Sequence, residues 1–123
     1  MRRWEISLTE EVEDWYLHLC KEDPDSANQV AAAIEVLAED GPNLGRPLVD
    51  RVKGSDYKDM KELRPGSAGD SEMRILFAFD PQREAILLVA GNKAGNWKGW
   101  YETSILEADR KFAEHLRELK GQR

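Results

Sequence analysis

Apolar and polar positions change period along the chain, and each change predicts an element. Trp4, Ile6 and Leu8 alternate with Glu5 and Ser7, the period of two that marks a strand. Thr9 then offers a helix N-cap, with Glu10 and Glu11 placed against the positive end of the helix dipole. Val12, Trp15, Tyr16, Leu19 and Cys20 recur at helical spacing, which reads Cys20 as a small core residue. Asp23-Pro24 ends this helix and starts the next, because proline is tolerated in a first turn. Ala27, Val30, Ala31, Ile34, Leu37 and Ala38 form a second amphipathic stripe, stopped by Gly41-Pro42. Residues 42–56 read as a loop around Gly45-Arg46-Pro47, in which Leu48 and Val49 pack locally or begin a short strand.

Three strands follow, over roughly residues 58–64, 72–79 and 85–91. The link Pro65-Gly66-Ser67-Ala68-Gly69-Asp70-Ser71 is rich in turn residues, and so is Asp80-Pro81. Links this short favour antiparallel neighbours. Ile105, Ala108, Phe112, Leu116 and Leu119 define a closing helix. The pattern predicts an α+β fold: a small, twisted, mainly antiparallel sheet of about four strands, two N-terminal helices and a C-terminal helix. The first strand should join an edge of the hairpin sheet. The helices are expected on one sheet face, leaving the other open to a ligand.

Composition narrows the class. A chain of 123 residues predicts a single domain over residues 1–123, and 41% hydrophobic with 34% charged residues fits a folded, soluble domain. No stretch approaches the roughly 20 apolar residues that cross a bilayer, and Met1-Arg2-Arg3-Trp4-Glu5 lacks an apolar signal core. With Cys20 alone, no internal disulfide forms, and a reducing cytoplasm is the expected location. Net charge is -6, which opposes bulk attraction to nucleic acid. The acid is uneven, however. Residues 1–41 carry 3 Lys/Arg against 11 Asp/Glu, whereas residues 42–101 carry 10 against 8. A mildly basic centre is left facing away from an acidic helical layer.

That centre holds the candidate chemistry. Arg74 lies in the apolar run Ile75-Leu76-Phe77-Ala78-Phe79. A guanidinium there must face open space or be paired, since a lone buried charge is very costly. Its planar fork suits phosphate oxygens, and its structural alternative is a salt bridge to Glu62 or Glu72. Arg64 has a similar profile beside a turn. Lys93 and Lys98 sit in the Gly/Asn-rich segment after the last strand, with Trp97, Trp100 and Tyr101 close by. A base stacked on such a ring gains about 1–3 kcal/mol. No Cys pair, His pair at helical spacing, phosphate-cradling Gly loop or Ser/His/acid set is present, so no metal or cofactor is implied. His18 and His115 read as surface or boundary residues.

The segments ELRPG, SEMRILFAFD and ILLVAGNKAGNW…WY together resemble the RelE/HigB toxins of bacterial toxin–antitoxin modules, above all the phage-related HigB-like branch. The likeness covers nearly the whole chain and implies a RelE-like fold. It also implies a metal-free endoribonuclease that cuts messenger RNA, often on the ribosome, and that a cognate antitoxin neutralises. The family's strand arginine corresponds to Arg74, its basic residue after the following strand to Lys93, its ELR arginine to Arg64, and the tyrosine of some members to Tyr101. Other members carry lysines on the strand ending in Arg64. Here Lys58 and Lys61 are the lysines available, while Met60 and Glu62 take the inward positions.

Such cleavage needs a base for the 2′-hydroxyl, cations for the crowded phosphorane and an acid for the leaving 5′-oxygen. The resemblance gives roles here to Arg74, Lys93 and Tyr101 and RNA contact to Arg64; the residues themselves add Lys98 to the catalytic candidates and Trp97 as a stacking platform, with Lys61 and Lys58 holding RNA if the strand register differs. General acid–base help gives about 10²–10⁴ in rate, whereas fixed alignment gives about 7–11 kcal/mol. A ribosome that holds the message supplies the larger effect, so activity should depend on it. Two rival roles share the fold: an inactive binding or co-repressor protein in an antitoxin complex, and a relative that poisons DNA gyrase. The nuclease reading expects the Arg74 guanidinium to stand uncovered beside the lysine-bearing segment; a side chain sealed against a carboxylate and far from Lys93 and Tyr101 would end it.

Overall fold

The computed structural model describes residues 3–66 and 72–121; of the turn-rich link expected over residues 65–71, residues 67–71 lie outside them. Strand β1 (Glu5–Leu8) leads into helix α1 (Glu10–Glu22), whose N-cap is Thr9: its hydroxyl accepts the Val12 N–H at 3.3 Å. Asp23 caps α2 (Pro24–Asp40) in the same way, accepting from the Ser26 N–H at 3.2 Å, with Pro24 in the first turn. Gly41 ends α2 at φ +58°, a left-handed conformation that favours glycine, and the Trp4 indole fills the place where a side chain would stand. A short 3₁₀ turn, Gly41–Asn43, follows.

The sheet has five strands rather than about four. Its order is β1-β5-β4-β3-β2, with β2 at Val49–Arg51, β3 at Lys61–Leu63, β4 at Met73–Phe79 and β5 at Glu84–Asn92. Strand β1 runs parallel to β5 at one edge, and the other pairs are antiparallel. The added strand grows from Val49, which opposes the fully buried Leu63. The strand expected over 58–64 shortens to β3, because residues 53–59 form a loop docked on the closing helix α3 (Trp97–Gly121). In that dock the buried Asp109 carboxylate accepts from the Ser55 hydroxyl and, at 2.8 Å, from the Asp56 N–H, and Tyr57 packs edge-on against Phe112.

Helices cover both faces of the sheet, not one. Leu63, Ile75, Phe77 and Leu87 pack with Val12, Val30 and Leu37 from α1 and α2. Leu76, Ala78, Ile86 and Leu88 pack with Ala108 and Phe112 from α3. Burial on both faces explains why ILFAF and AILLVA do not alternate: a strand with two buried faces reads as an unbroken apolar run. Cys20 is exposed on α1, while its neighbour Leu19 enters the core. Among the described residues no helix is long and apolar enough to cross a membrane.

Candidate active site

Beyond the reach of the Ala108–Phe112 contact, the α3 face of the sheet carries polar side chains. Glu62 on β3 opposes Leu76 on β4, so Arg74, two positions earlier on β4, projects from the same face on the diagonal. Arg64 follows Glu62 by two and shares that face. Strand β2 places Asp50 directly opposite Glu62.

Arg64 and Arg74 meet at the Glu62 carboxylate, which is only 5% exposed. Arg64 Nε lies 3.2 Å from Oε1 and Arg74 Nε lies 3.3 Å from the same oxygen. The Tyr101 hydroxyl donates to that carboxylate, 2.7 Å from Oε1 and 3.0 Å from Oε2. Arg74 also donates from Nη1 to its neighbour Met73's carbonyl at 2.8 Å. Its Nε is close enough to Glu62 for an ion pair, yet the N–H is not aligned on any acceptor, so this buried donor has no hydrogen bond. Asp50 stands 3.6 Å from Arg64 Nη2 and 3.3 Å from Arg46 Nε. Burial alone would lower the Arg64 pKa; the hydrogen bond and charge of Glu62, with Asp50, outweigh it and hold the group above its usual value.

The Arg74 side chain is 14% exposed and pairs with a carboxylate, so it does not stand uncovered. The reason lies in α3, which begins at Trp97, two turns before the apolar stripe that marks it in the sequence. Trp97, Lys98, Trp100 and Tyr101 therefore lie on a helix and not in a loop. The Trp100 indole packs so close to Gly91 that a Cβ there would fall 2.5 Å from its Nε1. This closeness brings Tyr101 down over Glu62. The expected neighbours are nevertheless present. Lys93, just past β5, sits 5.6 Å from the Tyr101 ring centroid and 4.0 Å from Glu72 Oε2. Trp97, 62% exposed, meets Tyr101 edge-on with centroids 6.5 Å apart.

Lys98 lines a groove of about 460 Å³ with Lys53, Trp97, Tyr101, Ile105 and Leu106, beside the cluster. Lys61 is not brought there. It shares the α1/α2 face with Phe77, and its Nζ lies 5.4 Å over the Phe79 ring. Lys58 borders a hollow with Phe79 and Phe112, at the opposite end of β4 from Arg74. Glu62 appeared in the sequence as a salt-bridge partner for Arg74, and the structure makes it the carboxylate that Arg64, Arg74 and Tyr101 share. Its sequence signal was an acid at an inward position of the strand ending in Arg64, beside the strand of Arg74.

Burial pushes the Tyr101 phenol up to about 12; its hydrogen bond to Glu62 and that carboxylate's charge add to the rise, and Arg74 opposes it. Tyr101 is therefore a neutral proton donor near pH 7. An unfolded tyrosine ionises near 10. The folded protein holds the proton more firmly, so this contribution to stability is full below pH 10 and is lost as pH rises through about 12. A tyrosinate absorbance titration should show a step near 12 that Tyr101→Phe removes. A missing step centred near pH 10 would contradict this environment.

Among the described residues, Asp80, Glu84 and His115 have metal-ligand spacing. The Asp80 oxygens are already engaged: Oδ1 by the Gln82 and Glu84 N–H groups, Oδ2 by His115 Nε2 at 2.8 Å. This trio caps the β4–β5 turn and ties α3 to it.

Comparison with known proteins then decides the family. The model of the family described as phage derived protein Gp49-like matches residues 18–113, from α1 into α3. A Mycobacterium tuberculosis (strain ATCC 25618 / H37Rv) protein named "Putative toxin HigB2" is 62% identical over 98 residues, 80% of this chain. "Putative toxin HigB3" of the same organism is 51% identical over 116 residues, 94% of this chain. The chain belongs to the Gp49-like, HigB-type toxin family. It spans about half the length of the first relative (49%) and 96% of the second. The span matched by the Gp49-like model includes Glu62, Arg64, Arg74, Lys93 and Tyr101, so the family match takes in the whole cluster.

Proposed function

We propose that this HigB-type protein is the toxin of a toxin–antitoxin module and acts in the cytoplasm as a metal-free endoribonuclease on translated messenger RNA. One observation carries the reading: two guanidiniums and a phenol converge on a single point, with Lys93 and an exposed tryptophan alongside. Arg64 and Arg74 take up phosphorane charge as the 2′-oxygen bonds to phosphorus and the bond to the 5′-oxygen breaks. Tyr101 donates the proton that the leaving 5′-oxygen needs. The 2′-hydroxyl proton passes to a carboxylate; Glu72, half-exposed and 4.0 Å from Lys93, is freer than Glu62. Trp97 stacks a base, and Lys98 lines its groove. The products are a 2′,3′-cyclic phosphate and a 5′-hydroxyl.

None of these groups is a strong base near pH 7, so alignment must supply most of the rate, and the ribosome is its source. A cognate antitoxin silences the toxin. The exposed apolar strip of Trp97 and Leu106, the latter 73% exposed, is the surface we assign to it. The test is induced expression with RNA 5′-end mapping, with and without the neighbouring gene. New ends within translated messages are expected, relieved by co-expression of the antitoxin. Rapid cutting of naked RNA by the pure protein would refute ribosome dependence.

The close pairing of Arg64, Arg74 and Lys93 with carboxylates favours a second reading, an inactive binding protein. Absence of growth arrest would select it. Arrest with DNA breaks and no new RNA ends would select a gyrase poison.

A further inference from the structure

We propose that Glu62 is a built-in occupant of the phosphate site, so that RNA binds only by drawing Arg64 and Arg74 away from it. The inference rests on the nuclease reading for the nature of the anion, and on the cluster's geometry for everything else. Carboxylate and phosphate oxygens present the same acceptors to a guanidinium fork. Two arginines and a phenol gathered around one carboxylate are the donor set that a phosphate would need.

Three features make the occupant exchangeable. The guanidinium contacts to Glu62 are 3.2 and 3.3 Å, longer than the roughly 2.7–2.9 Å of a tight charge-assisted bond. Arg74 Nε, although buried, has no aligned acceptor, so a better-placed oxygen would gain a hydrogen bond there. The cluster also cancels its own charge. Arg64, Arg74 and Lys93 are balanced by Asp50, Glu62 and Glu72 within 3.2–4.0 Å. An incoming phosphate thus meets a neutral site until Glu62 yields. RNA affinity is restrained from within, at a residue that contacts both arginines.

The experiment measures binding alone, using a single-stranded 2′-O-methyl RNA decamer that cannot be cleaved. Glu62→Gln keeps the shape and removes the charge. At about 5 Å and an effective dielectric constant of 40–80, the lost repulsion predicts roughly 4- to 15-fold tighter binding. The slope of log K against log salt should steepen by about 0.7, one further phosphate contact. Asp14→Asn, on the exposed face of α1, makes the same change of net charge far from the cluster and should leave affinity within about twofold. Equal gains in both variants, or no gain in Glu62→Gln, would overturn the proposal.

If Glu62→Gln does not fold, the wild-type protein answers by nitrogen-15 resonances of the arginine Nε–H groups. The decamer should shift those of Arg64 and Arg74. Binding that leaves both unmoved would reject the displacement. Cleavage plays no part in these readouts, so a failed nuclease reading and a failed occupant reading remain distinguishable.

Discussion

Arg74→Ala should lower RNA cleavage by about 10²–10³ and abolish growth arrest, while the circular dichroism spectrum stays native. The size follows from its place. Arg74 comes from a central strand, its side chain is mostly covered, and its Nη1 is anchored on Met73's carbonyl at 2.8 Å. Once RNA has taken the place of Glu62, a donor held in this way needs no further reorganisation as charge develops, which is what makes such groups effective. The fold should persist, because Glu62 keeps Arg64 and Tyr101 as partners. Arg74→Lys separates charge from shape: lysine restores the charge without the planar fork, so recovery should be partial. Toxicity retained by Arg74→Ala would remove Arg74 from the site, whatever its neighbours do.

Glu62→Ala should act on stability. Removing one partner of a buried ion pair typically costs about 3–5 kcal/mol, because the remaining charge stays out of water. Here two guanidiniums and a phenol would be left facing the gap. Arg64 is more exposed than Arg74 and keeps Asp50, so the lower end, about 3 kcal/mol, is expected. In a domain of this size that lowers Tm by roughly 10 °C, measurable by thermal or urea unfolding. Glu62→Gln should cost less, since its amide oxygen still accepts from Tyr101 and one arginine. A loss below about 1 kcal/mol for Glu62→Ala would mean that the cluster behaves as a surface ion pair.

The two predictions draw on different parts of the chain's physics. The first concerns what Arg74 would present to a ligand, and the second what Glu62 holds in place. Both follow from β3 and β4 pairing Glu62 with Leu76, since a one-residue slip would turn Arg74 or Glu62 to the opposite face.

The sequence alone was enough to determine the local punctuation of this protein. Thr9, Asp23-Pro24 and Gly41 mark helix ends because capping and backbone freedom act within one turn. Apolar spacing determined the two N-terminal helices, the hairpin strands and the closing helix, and the motifs around Arg64 and Arg74 identified the family. Tertiary structure decided the rest. It carried α3 back to Trp97 and covered the second sheet face. It also made Glu62 the meeting point of Arg64, Arg74 and Tyr101, the last 39 positions further along the chain. Caps and periodicity report interactions a few residues apart, whereas these pairings depend on strand register and helix docking, which no local pattern encodes.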